Sequence, residues 1–349
     1  MRRARPVTPR QSRLSIGAAG LRYTGPPVLA TFLHILVNVI LPVLLVIGLG
    51  AAMQRAFPMH IPTLSRLNIY LLVPAFIFVR VYESSYDAPQ IVAICAASLI
   101  PAGILGLMLY AGMRSARVAG PTIAATLIGG LVFNAGNFGI PVMELYYGND
   151  GGQVQALMVM VSNLSLWCVG YVILTLAHGH GWRGALGYLK LPMIYVLVAA
   201  FVLRGYEVRL GPWLMDPLSR LADAIVPVAL ITLVAQLALR ARLPRLRVVG
   251  PTVIIKLLLL PAATALVVVA SNYLPNASLH LWPWPGAVII VAAAAPTAAN
   301  TLLLTPDLDG DADTAADIVF WTTLLAALSV AVVMTLVTAA GGGPEAIPG

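Results

Sequence analysis

The sequence predicts an all-α polytopic membrane protein. Ten transmembrane helices are expected, built as two inverted five-helix repeats, with helices 4 and 9 interrupted and crossing. Three observations carry this expectation. The 349 residues are 60% hydrophobic and 10% charged, more apolar surface than a soluble domain of this size covers. The apolar residues fall into runs of about 20, the length a helix needs to cross a hydrocarbon core about 30 Å thick. The two halves of the chain repeat the same landmarks in the same order.

The chain opens with a basic tail, 1–30, predicted to be disordered. It holds Arg2, Arg3, Arg5, Arg10, Arg13 and Arg22 and no acid. It has no apolar core before residue 28, so it does not read as a signal peptide. Apolar runs follow near 31–52, 63–82, 88–111, 121–147, 154–177, 188–205, 216–239, 248–272, 284–304 and 314–339. Backbone groups in lipid must bond within their own segment, and no alternating strand pattern is present, so these runs are helices. The first five form a repeat over 31–180, the next five a repeat over 181–340, and 341–349 is a tail. The loops joining odd to even spans carry Arg55, Arg66, Arg114, Arg117, Arg183, Lys190, Arg240, Arg242, Arg245 and Arg247. The other side carries Arg80, Arg204, Arg209 and Arg220. The positive-inside bias puts the first set in the cytoplasm of a cell (inner) membrane protein and both termini outside.

The landmarks that repeat are short but ordered. "LPVLLVIGLG" from Leu41 pairs with "LPMIYVLVAA" from Leu191, and "LSRLNIYLLVPAFI" from Leu64 with "LSRLADAIVPVALI" from Leu218. Pro101 and Ala102 find Pro261 and Ala262, and Pro141 finds Pro296. An odd number of spans per repeat makes the second copy enter from the opposite face. That is the plan of secondary transporters, whose site lies near the midplane on interrupted helices.

Spans four and nine are the oddities. They read "LVFNAGNFGIPVMELYYG" and "VIIVAAAAPTAANTLLLTP". Each is expected to unwind near its proline, Pro141 or Pro296, because proline has no N–H and clashes with the preceding turn. Gly136 and Gly139 allow close approach of another backbone. Asn134 with Asn137, and Thr297 with Asn300, lie three apart and would share a face. Half-helix N-termini aimed at one point make a positive field suited to a carboxylate.

In this order, "LNIYLLVPAFIF", "GNFGIPVMELYYG", "KLLLLPA" and "AAAPTAANT" resemble the auxin efflux carrier family and its bacterial malate or malonate permease-like branch. The resemblance runs over about residues 30–340. It implies a scaffold of spans 1, 2, 6 and 7 that makes a homodimer contact, and a moving transport domain of spans 3–5 and 8–10. It also implies that the crossing holds a substrate carboxylate, at positions matching Asn137, Pro141, Pro296 and Asn300. Span nine departs from the plant carriers, which points away from auxin itself, and the long loop of the plant proteins between spans five and six is absent.

Charge inside the spans is sparse. Lys256, in "IIKLLLLP", stands about 13 Å along the helix from Arg247. A charge at that depth costs about 2.5–3.5 kcal/mol and ordinarily faces a partner or cavity. It is expected to meet the substrate anion. Glu144 and Asp223 are candidates for carrying a coupling proton, and Asn68 and Asn163 for lining the pathway or bonding between helices. H+ or Na+ coupling is open at this stage.

Other chemistries find little support. Cys95 and Cys168 lie in apolar spans and read as free thiols. The pair His178 and His180 lacks further ligands. "DLDGDAD" at 307–313 fails calcium-loop spacing, with Ile318 at position twelve, and reads as a solvated turn with Asp313 capping span ten. No cofactor, metal or nucleic-acid partner is expected. The partners read here are a small organic anion and the lipid bilayer. The expectation is a transporter and not an enzyme. An ion-coupled symporter or cation/proton antiporter of related fold is the nearest rival. An intramembrane enzyme or a transporter-like sensor is the rival from another class.

Overall fold

The computed structural model describes residues 27–57, 59–178, 192–237, 246–298, 301–302, 305 and 310–348. Among them the protein is helical, and the β pairing is an isolated antiparallel bridge between Phe133 and Thr297. We number the helices α1 Val28–Ala56, α2 Thr63–Tyr82, α3 Ala88–Ser115, α4 Gly120–Leu131 and α5 Ile140–His178, the last kinked at Gly148 with φ +63°. They continue as α6 Pro192–Gly205, α7 Pro212–Leu237, α8 Val249–Ser271, α9 Gly286–Ala293 and α10 Ala312–Val337. Among the described residues, five helices are long and apolar enough to cross a membrane: α1, α2, α3, α8 and the one that begins at Ala312. α4 and α6 are shorter apolar helices.

Local chemistry explains several boundaries. α3 starts with a capping box: the Asp87 carboxylate accepts from the Gln90 N–H at 2.8 Å, and the Gln90 side chain accepts from the Asp87 N–H at 3.0 Å. Both satisfy donors that a first helical turn leaves orphaned. α10 is capped by Asp311, whose carboxylate accepts from the N–H groups of Asp313 and Thr314. This corrects the expectation of Asp313: the cap must sit one residue outside the helix, and Asp313 is already in its first turn.

Prolines leave a regular mark. The π turns Leu36–Ile40, Asn68–Leu72, Ala135–Gly139, Ile255–Leu259 and Thr338–Gly342 each end two residues before a proline, namely Pro42, Pro74, Pro141, Pro261 and Pro344. Before Pro344 the chain has already left the helix, with Gly341 at φ +95° and Gly343 extended. In the first four the proline stays in the helix, where its ring crowds the carbonyl four residues back and offers it no N–H. Widening the preceding turn by one residue relieves that crowding and keeps the chain helical. In α1, α2 and α8 the widened bonds run from Leu41 to Leu36, Val73 to Asn68 and Leu260 to Ile255.

Packing falls into two groups. α1 packs on α7, and α2 on both α6 and α7. In the other group α8 packs on α3, α9 and α10, α4 on α3, α5 and α10, and α9 on α5 and α10. The groups meet where α2 lies on α5, α1 on α10, and α7 on the π turn Ala135–Gly139.

Candidate site at the crossing of two broken helices

Two helices stop mid-course and their ends cross. α4 ends at Leu131, and Val132 is extended at φ −88°, ψ 124°. α9 ends at Ala293, three residues before Pro296. The residue before a proline is driven out of the helical region, so α9 cannot run through. The two loose strands then pair. The Asn134 N–H donates to the Pro296 carbonyl at 2.7 Å, and the Ala298 N–H donates to the Val132 carbonyl at 3.3 Å. Backbone groups that would be orphaned in hydrocarbon satisfy one another at the crossing.

Polar side chains complete the satisfaction. The Thr297 hydroxyl donates to the Gly129 carbonyl at 2.5 Å, and the Thr297 N–H donates to the Thr322 hydroxyl at 3.1 Å. The Ser162 hydroxyl donates to the Phe133 carbonyl at 2.5 Å, and the Gln155 amide donates to the Ala135 carbonyl at 2.6 Å. Gly129 is needed because a Cβ there would come within 2.8 Å of the Ile318 side chain. Gly139 is needed because a Cβ would run into the Gln155 amide.

Asn134 caps the half-helix that follows. Its side-chain oxygen accepts from the Asn137 N–H at 3.1 Å, which fixes the amide's orientation and leaves its Nδ2 buried with no partner among the described residues. The Gln155 Oε1 is likewise buried and unpaired. Buried polar atoms without partners are uncommon and call for a water or a ligand. Beside them the site opens: a Cβ at Gly136 would meet nothing within 4 Å, and Asn137 is half-buried with no bond from its side chain to the described residues.

Lys256 lies under this crossing. It is 0% exposed, and its ammonium donates to the Ala293 carbonyl at 3.0 Å and sits 5.3 Å from the centre of the Phe133 ring. Two contacts of opposite partial charge hold the cation, one from a helix C-terminus and one from a ring face. Among the described residues it has no carboxylate partner.

The remaining sequence candidates divide. Pro141 lies inside the half-helix that Asn134 caps, and the break falls earlier, over 132–134. This corrects the expectation of unwinding at Pro141. The π turn absorbs that proline, and the pairing with Pro296 and Ala298 sets where the chain opens. Pro296 lies within its break, as expected. Asn300 lies outside the described residues, as do His180 and the start of the acidic run, Asp307 to Asp309.

Glu144 is engaged elsewhere, about 10 Å along the half-helix from Asn137. It accepts from Nε of Arg80 at 3.0 Å and closely from Nη2. The Asp223 carboxylate stands 3.7 Å from the same Nη2 with its side chain 72% exposed. Arg80 was expected among loop charges, yet it is buried in the last turn of α2. The Asn68 amide donates to the Thr232 hydroxyl at 2.8 Å, joining α2 to α7, and Asn163 donates to the Val159 carbonyl one turn back. The Asn68 Oδ1 is buried with no partner among the described residues, and the Asn163 bond closes back on its own helix.

Gln155, Ser162 and Arg80 were missed from the sequence. The first two sit in α5, a span away from the broken segments. Arg80 lay close enough to a predicted helix end to pass for a loop residue.

A family described as "Membrane transport protein" matches residues 185–334. No curated protein matches the chain. The match indicates a membrane transporter and is consistent with a protein that is not an enzyme.

Proposed function

We propose that this membrane transporter is a secondary carrier of a small organic anion, a carboxylate of the kind handled by malate or malonate permeases. In this reading the solute is held at the crossing of spans four and nine. The observation that carries it is the crossing itself. A capped half-helix N-terminus and an Asn134 amide unpaired among the described residues stand beside an opening at Gly136 and Asn137, and the buried Lys256 ammonium lies against Phe133, the residue before Asn134. All three favour a negative charge. Asn134, Asn137 and Lys256 would meet the carboxylate, with Asn300 as the second half's counterpart of Asn137. Gly139, Pro141, Pro296 and Thr297 would shape the backbone around it.

The architecture that suits this role has ten crossings in two inverted repeats, with both termini on the non-cytoplasmic side of the cell membrane. The two packing groups supply the division of labour. α1, α2, α6 and α7 form a scaffold and dimer contact, and the other group carries the crossing from one side to the other. A cation/proton antiporter needs a free carboxylate at the crossing. Glu144, about 10 Å along the half-helix from Asn137, is paired with Arg80, which Asp223 also faces, so these two carboxylates do not serve that rival.

The test is counterflow in proteoliposomes with labelled mono- and dicarboxylates, with and without a pH or sodium gradient. Asn137→Ala is expected to lower uptake about tenfold to a hundredfold, the value of a bond to a charged group, with the folded protein unchanged in size-exclusion chromatography. Asn300→Ala should do the same. Wild-type uptake in both variants would place the substrate elsewhere.

A further inference from the structure

We propose that the Lys256 ammonium is a tethered cation, standing where a coupling sodium ion would sit at the carbonyl end of α9, and that the crossing is therefore complete without sodium. The argument begins with a count of carbonyls. A helix leaves its last four carbonyls without helical donors. In α9 the Ile290 and Val291 carbonyls both accept from the Ala294 N–H, at 3.3 and 3.0 Å, and the Ala292 carbonyl accepts from the Ala295 N–H at 3.1 Å. The Ala293 carbonyl would next look to the residues around Pro296, which has no N–H to give. Lys256 Nζ takes it at 3.0 Å.

The electrostatics point the same way. A half-helix C-terminus carries about half a negative charge, and in carriers built on broken helices such ends and unwound carbonyls coordinate sodium or protons. Here that end already meets a full positive charge, with the Phe133 ring face on another side of it at 5.3 Å. The ammonium is 0% exposed, and among the described residues no acid competes for it. Lys256 also lies in the π turn Ile255–Leu259 set by Pro261. Its backbone is therefore fixed by the same proline device that marks the broken span α4–α5. A cation supplied by the chain does not dissociate, so at the Ala293 carbonyl sodium meets neither a charge deficit nor a free lone-pair partner.

The test uses the full-length protein in detergent and needs no transported substrate. Thermal unfolding is followed for wild type and Lys256→Ala in choline chloride, sodium chloride and propylammonium chloride at equal ionic strength. Removing the side chain leaves a lysine-shaped space ending at the Ala293 carbonyl, which propylammonium fits and sodium can enter. Wild type is expected to show the same Tm in all three salts. Lys256→Ala should gain about 3 °C or more from propylammonium or sodium over choline, the shift expected when a ligand binds the folded state well above its Kd. If Lys256→Ala survives purification only when extracted in propylammonium or sodium, that is the same positive result. A sodium-specific rise in wild type overturns the proposal, as does a Lys256→Ala protein that responds to no cation or is recovered in no salt. A second arm rests on the carrier reading: wild-type uptake should be unchanged when choline replaces sodium. Absence of uptake for every carboxylate would count against the carrier alone, since the unfolding arm decides the cation question without it.

Discussion

At the residue scale, Thr297 shows how much one hydroxyl does at a crossing. Its oxygen donates to Gly129 in α4 while its N–H is held by Thr322 in α10, so one residue ties three segments. Thr297→Val keeps the shape and removes the donor, leaving the Gly129 carbonyl buried and unpaired. The expected cost is about 1–3 kcal/mol, read as a lower Tm in detergent, with Thr297→Ser close to wild type. The sequence singled out this position for its three-residue spacing from Asn300, as a residue facing the substrate. It did not reveal where the hydroxyl goes, since the Gly129 carbonyl lies 168 residues away. Asn134 was singled out as sharing a face with Asn137, and its role as a cap on the following half-helix was not read, although an asparagine before a helix start is a local pattern. Lys256 was visible as a misplaced charge, but its acceptor was not, because that acceptor is backbone freed by a proline in another helix. Asp313 and Asp311 differ by two positions, within the uncertainty with which any helix end is read from sequence.

At the scale of elements, prolines proved more informative than their spans. A proline in an apolar run signals disturbance, and four π turns within helices place that disturbance just upstream of one. Whether the helix merely widens, as before Pro42, or opens fully, as over 132–134, depends on a partner strand that sequence does not display. The junction of α2 with α5 raises the same issue for charge. Arg80 and Glu144 are both largely buried, 7% and 15% exposed, and Gly152 sits so close that a Cβ would stand 2.8 Å from the Glu144 Oε1 and 3.0 Å from the Arg80 Nε. Removing one partner strands the other charge, at a cost of about 3–5 kcal/mol. Glu144→Ala should lose less stability than Arg80→Ala, because Asp223 remains to face the arginine, whereas the glutamate has no second cation among the described residues. Chemical or thermal unfolding of both variants checks that order. An Arg80→Glu, Glu144→Arg exchange that recovers stability would establish that the pair acts as a unit.

At the scale of the whole molecule, the helical class and the membrane setting follow from the length and apolarity of the runs. The grouping of helices does not, because every apolar face looks alike to a one-dimensional reading. The grouping bears directly on mechanism. If the two groups move past one another during transport, a bridge between them must block uptake, and a bridge within either must not. Two pairs of neighbouring residues separate the cases. Arg80 and Glu144 join α2 to α5, across the groups, while the Tyr146 hydroxyl bonds the Thr338 hydroxyl at 2.7 Å, joining α5 to the end of α10 inside one group. In a background with Cys95 and Cys168 replaced by serine, cysteines at 80 and 144 should let mercuric ion or a short bifunctional thiol reagent arrest uptake, with activity returning on addition of excess thiol. Cysteines at 146 and 338, treated identically, should keep the uptake they had before treatment. The comparison of each protein with itself, before and after bridging, removes the effect of losing the native side chains. Equal inhibition of both pairs would mean the groups do not move as bodies. Equal indifference, with bridging verified by mass spectrometry, would mean that transport needs no relative motion of α2 and α5.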